Sequence, residues 1–181
     1  MARLRVPVTP SDHVIGSEDA PATLVEYGDY ECPHCGRAFP IVNAVLENFG
    51  DQLLYVYRHF PLAQIHPFAE PAAETAEFAG AHGRFWEMHN GLFENQARLG
   101  VPLFVELAEE LGLSSAELLK SLERGQYAPV VREHFMGGVR SGVNGTPTFF
   151  INGQRHEAPY EFEFLVAAID QELARVQRKA G

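Results

Sequence analysis

Glu31–Pro40 reads ECPHCGRAFP and holds both cysteines of the chain, Cys32 and Cys35, with Pro33 and His34 between them. A Cys-x-x-Cys pair can be half of a metal site, a structural staple or a reactive dithiol, and its surroundings decide which. Upstream, ATLVEY (22–27) follows the turn-like GSEDAP and reads as a largely buried β-strand. Downstream, a helix is predicted from about Pro33, because proline is favoured in a first helical turn. Val42, Val45, Leu46 and Phe49 then recur at helical spacing, Pro40 predicts a kink, and Gly50 ends the helix. LLYVYRHF (53–60) reads as a second strand, so the cysteines open the helix of a βαβ unit with parallel strands.

The rest of the chain gives this unit a setting. From Pro61 to about Gly142 the periodicity is helical, with Ala69, Ala72, Ala73 and Ala76 on one face and Phe104, Leu107, Ala108 and Leu111 on another. SSAE (114–117) has capping-box spacing, PVVREHFMGGV (129–139) suits a last helix, and Phe85 and Trp86 read as core of this helical block. Strands return in TPTFFINGQRHE (146–157), where Asn152-Gly153 marks a hairpin. Leu165, Ala168, Ile169, Leu173 and Val176 build a closing helix. The order is β-α-β, a helical insert, then β-β-α. This predicts an α/β domain over 12–61 and 143–178, an inserted helical domain over 62–142, and an N-terminal extension over 1–11.

Composition narrows the chemistry. With 181 residues, 46% of them apolar, the chain can bury a substantial core and needs no disulfide framework. A Cys-x-x-Cys bridge also closes too short a loop to stabilise much. A net charge of −10 with scattered basic residues argues against a nucleic-acid partner, and no apolar run reaches the roughly 20 residues of a membrane-spanning helix. The start, MARLRVPVTPSDHVIG, has no apolar stretch of signal-peptide length. As written the chain reads as cytoplasmic; a signal removed beforehand would leave the same trace and imply a periplasmic or other extracytoplasmic setting.

A structural zinc site wants four ligands, and the histidines show no His-x(3–5)-His pair to complete one, so no metal and no cofactor is predicted. His34 and His66 read as polar surface or loop residues. The redox reading has positive support. At a helix start, unpaired backbone N–H groups and the helix dipole favour a thiolate at Cys32. His34 adds charge when protonated, and Cys35, one turn deeper, suits the resolving role. Asp29 and Glu31 read as exposed loop charges whose field opposes the thiolate. Arg58 and His59, at the end of the second strand, read equally as site neighbours and as ordinary strand-end residues.

VEYGDYECPHCGRAFP together with the distant GTPTFFING resembles the DsbA-like branch of the thioredoxin superfamily over nearly the whole chain, about residues 12–175. The resemblance implies a thioredoxin fold interrupted by a helical domain, with Cys32 attacking and Cys35 resolving. It implies that Pro147 is cis beside the dithiol, that the Thr146 backbone pairs with an extended substrate, and that Glu26 lies beneath the dithiol and helps move the Cys35 proton. Partners would be protein or peptide thiols and disulfides, with a redox partner protein to reset the couple. The Pro33-His34 dipeptide is that of oxidising members, so the Cys32 thiol should titrate well below the free value of about 8.5. Two other readings stay open: a non-catalytic peptide-binding or regulatory module, and an enzyme of the glutathione-dependent branch, against which Cys35 counts.

Overall fold

The computed structural model describes residues 2–180, without the side chains of Lys179 and Ala180. Five strands are present among them: β1 (His13–Ile15), β2 (Ala22–Gly28), β3 (Leu53–His59), β4 (Thr148–Ile151) and β5 (Gln154–Arg155). Seven α-helices accompany them: α1 (Pro33–Phe49), α2 (Ala69–Ala81), α3 (Phe85–Glu94), α4 (Val101–Glu110), α5 (Ser115–Glu123), α6 (Ala128–Arg140) and α7 (Phe162–Ala180). The strands form one sheet in the order β1-β3-β2-β4-β5. The chain groups into two compact units. The first runs to Gly28, resumes over Arg37–Arg58 and returns from Gly137; the second comprises Asp29–Gly36 and His59–Met136.

In the first unit the strands follow the apolar runs. Every residue of β2 except Thr23, and every residue of β3, is buried. β2 pairs antiparallel with β4 in the register Leu24↔Ile151 to Tyr27↔Thr148. The β4–β5 hairpin turns at Asn152 (φ 47°) and Gly153 (φ 77°), the positive pair that a type I′ turn requires. Asn152 is also tied to β2: its N–H donates to the Thr23 carbonyl, and its Oδ1 accepts from the Thr23 N–H at 2.8 Å. α7 buries Leu165, Ile169 and Leu173 at helical spacing.

The edge strand β1 is an addition to the order read from the sequence. It pairs antiparallel with β3, from His13↔Tyr57 to Ile15↔Tyr55. Three residues give no countable alternation, so only the sheet edge itself defines the strand. The N-terminal segment is likewise held: Leu4 N–H donates to Gly153, Arg155 N–H donates to Ala2, and Arg3 bridges Gln154.

His59 apart, the regular elements of the second unit are helical among its described residues, joined by loops. The alanine face of α2 is buried throughout, and small side chains there let neighbouring helices approach. α3 and α4 come close at Gly91, where a Cβ would stand 2.9 Å from Leu107 Cδ2. Ser114 caps α5, its Oγ accepting the Glu117 N–H at 3.2 Å.

Candidate active site: the Cys32–Cys35 loop

β2 delivers the chain at Gly28 into the segment that carries the dithiol. The Cys32 carbonyl accepts the Gly36 N–H at 3.1 Å, which makes Cys32 the N-cap of α1 and Pro33 its first helical residue. A side-chain acceptor at an N-cap meets the N–H groups two and three residues on, here those of His34 and Cys35. A thiolate on Cys32 therefore faces the positive end of the helix. Cys32 is 4% exposed and Cys35 fully buried, while Pro33 and His34 are open to solvent. The Asp29 N–H points at Cys35 Sγ, 3.4 Å away.

Asp29 corrects the expectation of an exposed loop charge. It is 2% exposed, and its carboxylate is the hub of the loop. Oδ1 accepts the N–H groups of Glu31 at 2.8 Å and Cys32 at 3.2 Å; Oδ2 accepts the Leu62 N–H at 2.9 Å and meets His66 Nδ1 at 2.7 Å. Glu31, also expected in open solvent, is half-buried and accepts the Phe68 N–H at 2.6 Å. A chain that leaves a strand and turns into a helix exposes a run of N–H donors; Asp29 satisfies those of Glu31 and Cys32, while Glu31 serves Phe68 ahead of α2. His66, expected as a plain loop residue, is a side-chain hydrogen-bond partner of Asp29.

Two further contacts hold the loop within the second unit. Tyr30 Oη lies 3.0 Å from His89 Nδ1, and its ring stands 4.9 Å from that of Phe93. Gln96 Nε2 donates to the carbonyls of both Tyr30 (2.8 Å) and Cys32 (2.9 Å). Gly36 makes room for it: a Cβ there would sit 2.3 Å from Gln96 Oε1. The Asp three residues before Cys32 is a turn signal visible in the sequence. Gln96, far along the chain, has no local signal.

The remaining predicted residues lie in the first unit. Glu26, on β2, is buried and accepts a 2.6 Å hydrogen bond from Tyr55 Oη. Thr146 and Pro147 are half-buried, and the bond between them is cis, as the resemblance implied. Pro147 leads into β4 next to Thr148, the partner of Tyr27, so it lies at the carboxyl end of β2. Arg58 is buried against Asp12, Tyr27 and the N-terminal segment of the first unit, and His59 against Glu77 of the second.

A thioredoxin family profile matches residues 8–171, and the chain belongs to that family. Its fold is the DsbA-like one. The structure of BdbD from Bacillus subtilis superposes with a TM-score of 0.86 at 23% identity, over 96% of this chain and 98% of that one. α-DsbA1 from Wolbachia pipientis gives 0.84 at 19% identity, over 98% of both chains. A thioredoxin-like oxidoreductase from Silicibacter pomeroyi gives 0.78 at 27% identity, over 96% of this chain and 95% of that one. The chain is thus a thioredoxin-family chain of DsbA-like fold that carries a Cys-x-x-Cys pair. Among curated sequences it is 45% identical over 172 residues to a Na(+)/H(+) antiporter NhaA 1 from Salinispora arenicola, matching 94% of this chain and 26% of the antiporter. The chain thus spans about a quarter of the length of such relatives. No helix among the described residues is long and apolar enough to cross a membrane.

Proposed function

We propose that the chain exchanges disulfides with protein substrates through Cys32 and Cys35, as a fairly oxidising couple. The observation that carries this reading is the place of Cys32 at the N-cap of α1 with Cys35 one turn inside. In the reducing direction the Cys32 thiolate attacks one sulfur of a substrate disulfide. The substrate S–S bond breaks, its second sulfur leaves as a thiolate, and a mixed disulfide forms. Cys35, deprotonated, then attacks Cys32 Sγ, the mixed disulfide breaks, and the substrate departs reduced by two electrons while Cys32–Cys35 is oxidised. Run backwards, the same steps oxidise a substrate dithiol.

Stabilising the Cys32 thiolate stabilises the reduced protein, which makes its disulfide the stronger oxidant. His34, exposed beside Cys32, adds to that stabilisation when protonated. Glu26 serves as proton relay for Cys35, and the Thr146 backbone before Pro147 pairs with an extended substrate segment. Residues 62–142 act as the inserted helical domain of this design. An oxidising couple suits an extracytoplasmic compartment, with a partner protein that reoxidises the pair.

Equilibration of the purified chain with reduced and oxidised glutathione should give a potential above about −200 mV. Titration of thiolate absorbance should place the Cys32 midpoint well below about 8.5, and Cys32→Ser should abolish reduction of insulin. A midpoint at the free-cysteine value, or an inert dithiol, would refute the reading.

A further inference from the structure

The sequence offers no pair of histidines at ligand spacing, but the fold of the second unit makes one. His59 at the end of β3, Glu77 in α2 and His134 in α6 come together from three separate elements. One ligand atom from each lies within 4.8 Å of the other two. His59 Nε2 is 2.8 Å from Glu77 Oε1. The His134 ring stacks on that of His59 at 5.4 Å and 22°, its Nδ1 accepting the His59 backbone N–H at 3.3 Å.

We propose that His59, Glu77 and His134 bind one divalent transition cation of the zinc type. Two imidazoles and a carboxylate are the three-ligand protein set that leaves zinc a fourth position for water or another ligand. With metal–ligand bonds of about 2.0–2.1 Å, tetrahedral donors lie about 3.3 Å apart. The His59–Glu77 contact therefore has to open by about half an ångström, and the third donor has to close by no more than about 1.5 Å. Side-chain torsions supply both movements.

The nitrogen donors select a borderline cation such as zinc, cobalt or nickel over magnesium and calcium, which take oxygen ligands in larger numbers. Charge supports the assignment. Glu77 and His59 are both buried, at 7% and 1% exposure, and a buried carboxylate needs a positive partner. A dication supplies that partner. His134 is half-buried, which gives the ion a route from solvent.

Thiolates also bind zinc, so the test uses Cys32→Ser/Cys35→Ser protein stripped with a chelator. Calorimetric titration with zinc chloride should show one equivalent bound. Cobalt(II) in its place should give tetrahedral visible bands without a thiolate charge-transfer band. Glu77→Gln and His134→Ala should each weaken binding tenfold or more, while His66→Ala, which removes an imidazole elsewhere in the same unit, should leave it unchanged. Zinc should also shift the imidazole resonances of His59 and His134 in the double-serine protein, a readout that needs no ligand substitution. Absence of saturable binding there, binding that survives both ligand substitutions, or loss of binding in His66→Ala would overturn the assignment.

Discussion

Asp29 concentrates the chemistry of the loop in one side chain. Its carboxylate accepts three backbone N–H groups and faces His66, and its own N–H serves Cys35 Sγ. Asp29→Asn keeps the shape but turns an –NH₂ toward the Leu62 N–H, so one buried donor loses its acceptor. Chemical denaturation should show a loss of about 1–3 kcal/mol. The same substitution removes a negative charge near Cys32, so thiolate absorbance should titrate at lower pH than in the parent. A fall in stability together with a fall in the thiolate midpoint is the expected signature; unchanged stability would remove the hub role. The sequence showed the acid three residues before Cys32 but not its burial. Burial here depends on acceptors being needed by Leu62 and His66, which join the loop only in the folded chain.

At the scale of elements, most of the design is local and could be read directly. α1 starts at Pro33, α5 starts behind a capping serine, and the hairpin turns at Asn152-Gly153, each set by chemistry within a few residues. What stayed hidden is tertiary: β1 exists because β3 offers it an edge, and Gln96 clamps the carbonyls of Tyr30 and Cys32 from beyond α3. α1 also carries Pro40, whose ring cannot donate to the Gly36 carbonyl one turn back. The start of the helix is therefore held more by the clamp and the Asp29 turn than by its own ladder. Gln96→Ala should speed hydrogen exchange at the amides of residues 30–36 at least tenfold and leave exchange in α7 unaltered. Gly36→Ala should do the same despite alanine's advantage of about 1 kcal/mol within a helix, because its Cβ displaces Gln96. Equal protection in parent and variants would show that the clamp is idle.

At the scale of the whole chain, the order β-α-β, helical insert, β-β-α was legible because each segment keeps one period long enough to count. Residues 2–12 were not: residues 2–4 are tied to the β4–β5 hairpin, and a single cation holds the stretch from Val6 to Asp12. Arg58 is 2% exposed. It reaches Asp12 through Nε and one terminal nitrogen at 2.8 and 2.9 Å, the Val6 and Pro7 carbonyls at 2.8 and 2.9 Å, and Tyr27 Oη at 3.1 Å. These bonds use the guanidinium's five N–H groups. Burial by itself would make Arg58 easier to deprotonate, but the Asp12 hydrogen bonds and Tyr27 more than offset it and hold its pKa above the ordinary value. Lysine keeps the charge and loses the fork, and at most three of the five acceptors can be served. Arg58→Lys should cost about 2–4 kcal/mol in denaturant unfolding, since it leaves buried acceptors and a carboxylate underserved. Limited proteolysis should then cut first between residues 2 and 12, and the potential of the dithiol in the folded fraction should stay at the parent value. A variant of parental stability, or one cleaved first in the helical unit, would show that residues 6–12 are held by something other than Arg58.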